Sequence, residues 1–297
     1  MIAASRMHDR EYFYKYMPAS TAKLVLQSGK LRWSSPLLFN DPFDVPRTLA
    51  AGSTSNDIAK ATADCIDAYL DQPPSDLTDF DPRFRQLLTL AKSGLPQELR
   101  AEMRKVTQET RDNPKIQASL LEDLREHWKQ QVPMMRILCL TESQKHVAMW
   151  YHYADKYRGA VLGFRCTEEV DSCFRIAKQI QYLDQKPDVY TDHGIARLLC
   201  LNGMAAARET TRLATLTKAA DWSYEREWRI VSYADAGDVG LFSDWRFEKV
   251  DLAFLYLGPQ VSDQDATELV ELAHHYPKVS VFRTSVGLDR ELHFRRM

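Results

Sequence analysis

Residues 136–164 read RILCLTESQKHVAMWYHYADKYRGAVLGF. The run alternates between two periods. RILCLT (Arg136 to Thr141) is a short apolar segment rich in branched side chains, as strands are. HVAMWYHYAD (His146 to Asp155) has helical spacing. Met149, Trp150 and Tyr153 lie on its apolar stripe, and Tyr151, His152 and Asp155 face away. GAVLGF (Gly159 to Phe164) is a second strand, apolar enough to be buried on both faces. A strand, a short helix and a strand within 29 residues set the texture of the chain.

Outward from this run the pattern repeats irregularly. EYFYKY (Glu11 to Tyr16) is an aromatic strand, followed by a short helix at about Thr21 to Gln27 that Ser28-Gly29 ends. Leu31 to Ser34 is another strand. SPLLFNDPFDVP follows as a loop, with Asn40 or Asp41 closing an Asx turn and Phe39 and Phe43 expected to anchor it in the core. On the C-terminal side, strands are expected near Ile180 to Leu183, at Arg226 to Tyr233, Leu252 to Gly258 and Val279 to Thr284, with LHFRRM as a final edge strand. One long helix is expected at about His193 to Thr217, and Ser262 with Asp265 forms a capping box opening a helix to His274.

Residues 53–132 differ. They are charged, nearly strand-free and helical in period, with Leu120, Leu121, Leu124 and Trp128 on one face. Breakers at Pro73-Pro74, Asp81-Pro82, Gly94-Leu95-Pro96 and Asn113-Pro114 divide them into about four helices. Regular βαβ alternation is absent. The pattern predicts one α+β domain over residues 1–297, with a mixed, mainly antiparallel sheet, surrounding helices and a packed helical insert at about 53–132.

Composition narrows the function classes. Hydrophobic residues at 44% allow a sizeable core. A net charge of -2, from 39 basic and 41 acidic residues, lacks the basic excess of a protein that coats nucleic acid. No apolar run reaches the roughly 20 residues that cross a bilayer. MIAASR turns polar too early for a secretory signal, and five cysteines without a C-x-x-C pair fit free thiols in a reducing cytoplasm. P-loop, G-x-G-x-x-G, G-x-S-x-G and H-E-x-x-H patterns are missing, and the eight histidines are scattered, so no metal site is expected.

Four stretches mix rings with charges: Tyr14-Lys15-Tyr16, Phe39 to Asp44, Trp150 to Asp155, and Trp222 to Arg229. Read as a strand, the last places Glu225, Glu227 and Arg229 on one face and Tyr224, Arg226 and Trp228 on the other. Two carboxylates about 7 Å apart raise each other's proton affinity unless a cation compensates, and Arg229 is placed to do so. Such a pair can hold sugar hydroxyls, stabilise a developing cation or bind a metal; it also suits plain ion pairing across strands. Lys15 takes the opposite strand face from Tyr14 and Tyr16, either to meet a phosphate or to guard an edge.

In this order the stretches resemble a widespread bacterial family with no assigned function, domain of unknown function 2971. Its members look like Y-K-Y, then S-S-P-x-x-F-N-D-P-F-[DE], then M-W-x-x-Y-A-D-x-x-x-G-x-x-[LI]-G-F, then Y-E-x-E-[WY]-R. The matches are Tyr14 to Tyr16, Ser34 to Asp44, Met149 to Phe164 and Tyr224 to Arg229. The order is also similar to that of the NAD-dependent ADP-ribosyltransferases. That resemblance implies Lys15 at a first position, where the superfamily carries histidine or arginine, Tyr153 at a second, and Glu227 of the E-x-E at a third. It implies catalysis by Glu227 with Glu225, and an NAD-binding set of Lys15, Tyr16, Arg32, Asn40, Trp150, Tyr153 and Arg229. The expected activity is ADP-ribosyl transfer or NAD hydrolysis with a small nucleotide partner, in a toxin or antiphage effector. Two other readings stay open. One is a metal-dependent phosphodiesterase or nuclease using Asp41, Asp44, Glu225 and Glu227. The other is a non-enzymatic sensor or interaction module.

Overall fold

The computed structural model describes residues 7–166 and 172–297. In chain order the elements are β1 (Tyr12–Met17), α1 (Ala19–Ser28), β2 (Lys30–Ser34), α2 (Ser55–Asp71), α3 (Pro82–Ser93), α4 (Gln97–Asp112), α5 (Lys115–Met134), β3 (Met135–Thr141) and α6 (Val147–Tyr153). There follow β4 (Ala160–Arg165), β5 (Lys178–Gln179), β6 (Gln181–Leu183), α7 (Asp192–Leu199), α8 (Gly203–Thr215) and β7 (Thr217–Ala219). The chain closes with β8 (Glu227–Tyr233), β9 (Phe242–Arg246), β10 (Leu252–Leu257), α9 (Asp263–Ala273), β11 (Ser280–Val286) and β12 (Leu292–Arg296). This is the α+β class the periodicities predict, with a mainly antiparallel sheet.

The chain divides into two compact units. One comprises Met1–Leu38, Met134–Tyr182 and Ala220–Met297; the other comprises Phe39–Pro133 and Leu183–Ala219. The first holds a sheet ordered β12-β11-β10-β4-β1-β3-β2-β9, with β8 alongside β3 and β5 alongside β8. Among the described residues, β10 and β11 are the pair of this sheet that runs parallel, and α9 makes the crossover between them. One sheet face carries Phe13, Leu138, Leu140, Leu162, Phe164, Trp228 and Leu255, covered by Ala22, Val25 and Leu26 of α1 and Leu269 of α9. The other carries Tyr14, Tyr16, Val161 and Tyr256 under Met149 and Trp150 of α6. Gly163 is needed on that second face. A Cβ there would stand 2.9 Å from Phe254 Cδ2 and 3.1 Å from Tyr14 Cε1.

The second unit is helical. Thr54 and Asp57 form a capping box at the start of α2, and Asp81 caps α3 ahead of Pro82. Leu70, Phe80, Leu88 and Cys200 are buried in one of its clusters. Trp128 donates from Nε1 to the Pro46 carbonyl at 2.8 Å, and the buried Lys218 and Asp44 pair at 3.5 Å.

Three local expectations are corrected. The long helix at His193 to Thr217 is two helices, because the Asn202 side chain accepts the Ala205 N–H and starts α8 afresh. Phe43 does not anchor its loop: it is 83% exposed, while Asp44 and Val45 turn inward. The Asx turn is real, with the Phe43 N–H on Asp41 Oδ1 at 2.8 Å. The strand expected from Arg226 begins at Glu227, since Ala220–Glu225 forms a 3-10 turn. That third change reshapes the site.

Candidate functional site

The Tyr224 to Arg229 segment is a turn joined to a strand. Arg226 has a φ of 45°, a left-handed conformation unusual for a residue with a side chain, and its N–H closes on the Ser223 carbonyl. Strand alternation therefore starts only at Glu227. Glu227 and Arg229 do share a face, but Glu225 reaches the same place from the turn, not as their strand neighbour.

The pair on β8 is tight. Arg229 Nε donates to Glu227 Oε1 at 2.7 Å and Nη2 donates to Oε2 at 2.9 Å. The side chains are 1% and 6% exposed. The fork compensates the cost of burying the carboxylate. Glu225 is 3% exposed. It accepts from the Tyr153 hydroxyl at 2.5 Å, and its backbone carbonyl accepts from Thr141 Oγ1 at 2.7 Å. Burial first, then the neighbouring Glu225 charge, raise the Tyr153 phenol well above its ordinary range, so it stays a donor.

Lys15 comes in from β1. That strand meets β3 at one register pair, Tyr14↔Thr141, while its pairing with β4 runs from Tyr12 to Met17. Where β1 and β3 part, Lys15 Nζ donates to the Cys139 carbonyl at 2.8 Å. Burial pulls the Lys15 ammonium below its usual pKa, and the neighbouring Cys139 and the Glu227 carboxylate oppose that pull. The Cys139 thiol is pushed up, first by burial and then by Glu227. Thr141 and Cys139 stand opposite Glu227 and Arg229 in the β3–β8 register. Two buried carboxylates and a buried guanidinium, with a half-buried ammonium, thiol and phenol beside them, thus sit where β1 and β3 part.

Around this cluster lie Glu142 and His146, which no sequence pattern singles out, together with rings of the Trp150–Asp155 and Trp222–Arg229 stretches. Glu142 follows β3 and takes Arg10, the Arg226 guanidinium at 3.5 Å and Trp228 Nε1 at 3.4 Å. His146 has its pKa lowered, by burial first and then by Arg226, and its Nε2 is buried without a hydrogen-bond partner among the described residues. Trp222 and His152 flank Tyr224, with ring centroids 6.1 and 6.5 Å away.

Residues 149–230 match the model of a family described as Protein of unknown function (DUF2971). The DUF2971 match runs from Met149 on α6 to Ile230 on β8, and so takes in Tyr153, Glu225, Glu227 and Arg229. No curated protein and no solved structure matches the chain.

The remaining predicted positions are placed as follows. Tyr16 donates to the Ser143 carbonyl at 2.9 Å and accepts the His146 N–H at 3.2 Å. Trp150 is wholly buried, with its ring edge on Tyr16 and its Nε1 on the Gln144 carbonyl at 2.8 Å. Both shape the loop after β3 from beneath. Arg32 is exposed at the β2–β9 edge, bound to Asp244 at 3.0 Å and 3.8 Å above the Phe242 ring. Asn40, Asp41 and Asp44 belong to the second unit. Among the described residues no group of three or more His, Cys, Asp or Glu side chains could hold a metal. No described helix is long and apolar enough to cross a membrane.

Proposed function

We propose that the chain cleaves the nicotinamide–ribose bond of NAD, passing ADP-ribose to water or to a macromolecular acceptor. One observation carries this reading: Lys15, Tyr153 and Glu227, drawn from three separate elements, meet with Glu225 at the parting of β1 and β3. The chemistry suits the groups. The C1′–N bond breaks, nicotinamide leaves with the bonding electrons and becomes neutral, and positive charge develops on the ribose. Glu227, fixed by Arg229, stabilises that charge and holds a ribose hydroxyl. Glu225 accepts the proton of the oxygen nucleophile as the new C1′–O bond forms. Tyr153 and the Tyr224 rim give aromatic surface for the nicotinamide ring. Both carboxylates are buried, so this reading requires Tyr153 and Tyr224 to move before NAD reaches them.

Purified protein incubated with NAD is expected to release nicotinamide, read by chromatography. Glu227→Gln is expected to lower the rate by at least a hundredfold at a temperature where circular dichroism shows it still folded, although loss of the Arg229 counter-charge lowers its melting temperature. Absence of both nicotinamide release and calorimetric NAD binding would sink the proposal. A toxin or antiphage role, in a cytoplasm supplying the NAD, adds a further expectation: expressing the chain in bacterial cells depletes their NAD, and Glu227→Gln does not.

A second reading rests on how fully the carboxylates are engaged, Glu227 with Arg229 and Glu225 with Tyr153. In a binding or sensing module the cluster is a structural element. Glu227→Ala then costs stability alone, and the parent protein leaves NAD intact.

A further inference from the structure

In the second unit, α2 carries Cys65 and the residue after α7 is Cys200. Their sulfurs lie 4.0 Å apart, although 135 positions separate them along the chain. Cys200 is buried and Cys65 is half-buried. Two thiols in van der Waals contact need to close only about 2 Å more to reach bonding distance. Tyr69 sits one turn beyond Cys65 on α2, and Arg197 one turn before Cys200 on α7. Both side chains also line a polar pocket of about 230 Å³, together with Asp79, Asp188 and Arg208. Neither sulfur lines it, but that volume admits several waters, so a molecule the size of a peroxide reaches Tyr69 and Arg197, each one turn from a thiol.

We infer that Cys65 and Cys200 form a thiol–disulfide site, in which Cys65 reacts with a peroxide and Cys200 resolves the product. The two sulfurs are not equivalent. The hydrogen bond from Cys200 pulls the Cys65 thiol below its ordinary pKa; burial opposes it, and Tyr69 and Arg197 add to the lowering. Cys200 is raised, by that same bond and then by burial. Cys65 therefore supplies the thiolate, the form that attacks. Its sulfur displaces hydroxide from the peroxide; the O–O bond breaks and a sulfenic acid forms. Cys200 then attacks the Cys65 sulfur, the S–O bond breaks, and water leaves with the Cys200 proton. The sum is two thiols and one hydrogen peroxide giving one disulfide and two waters. The bond ties α2 to the end of α7.

The test uses the full chain treated with hydrogen peroxide, digested without reduction and read by mass spectrometry. The expected product is a cross-linked pair of Cys65 and Cys200 peptides, two hydrogens lighter than their sum, that dithiothreitol reverts. In Cys200→Ser a dimedone adduct is expected to accumulate on Cys65 instead. Peroxide in excess that leaves no Cys65–Cys200 link in the parent chain overturns the inference, whatever happens at the exposed Cys173. So does a parent chain in which Cys200 is oxidised before Cys65.

Discussion

Two halves of one sheet handle burial in opposite ways. From β4 through β10 to β12 the strands pair in uninterrupted ladders apart from one bulge near Leu252, and Leu162, Phe164, Leu255, Tyr256 and Phe282 fill the interior. At the β1–β3–β8 junction the pairing of β1 with β3 is reduced to Tyr14↔Thr141, and the interior holds Glu225, Glu227 and Arg229 with the half-buried Lys15 beside them. Apolar side chains explain the first half through the area they remove from water. The second half gains little net stability from its charges, because desolvation offsets most of their attraction.

The sharpest way to break this contrast is to remove one charge. Glu227→Ala leaves the Arg229 guanidinium without its two-pronged partner and is expected to cost about 3–5 kcal/mol in chemical denaturation. The double change Glu227→Leu with Arg229→Leu is expected to recover most of that loss, since it removes both charges together. A double variant as unstable as the single one would show that the junction is built for stability after all. The ladder half predicts a smaller penalty of a different kind. Gly163→Ala puts a methyl 2.9 Å from Phe254 Cδ2 and is expected to cost about 1–3 kcal/mol by overpacking. A cost near zero there would mean that the Phe254 and Tyr14 rings give way easily.

How much of this contrast was legible in the sequence depended on whether a feature was local. The strand at GAVLGF, the four helices between Thr54 and Met134 and the helix start at Ser262 followed from period, proline and cap chemistry within a few residues, although Ser262 is a one-sided cap that accepts the Asp265 N–H without the reciprocal backbone bond of a capping box. The break at Asn202 was equally local, yet the surrounding apolar spacing masked it. Motif order is what singles out Lys15, Tyr153 and Glu227 in the sequence. Their meeting depends on β1 leaving β3 after one pair, which no local pattern encodes. Arg226 defeated the strand reading because nothing in its neighbours announces a left-handed backbone; the turn is imposed by the tertiary fit of Glu225 against Tyr153 and Thr141. Glu142 and Cys139 were invisible for the same reason. They matter only because β8 lies beside β3.

The ladder half has its own exception, and it gives the smallest expected effect. Asp251 immediately precedes β10, is 2% exposed, and its carbonyl accepts the N–H of Arg165 at the end of β4. Its Oδ2 accepts the Glu248 N–H at 3.1 Å, and its Oδ1 is buried without a partner among the described residues. Burial, partly opposed by the Glu248 N–H bond, raises its pKa to about 6 from a model-peptide value of 3.8. Between those two values the folded chain holds a proton that the unfolded chain has released. Stability therefore falls as pH rises through this window, and the deficit is complete above about pH 6. Asp251→Asn keeps the acceptor for Glu248 and carries no charge to desolvate. Its melting temperature is expected to exceed the parent's by a few degrees at pH 7.5 and to converge with it below about pH 4. Parallel melting curves across that range would mean that water or a neighbouring group already solvates the Asp251 carboxylate. The ladder half would then tolerate a charge as readily as the junction does, and the contrast between the two halves would lose its cleanest boundary.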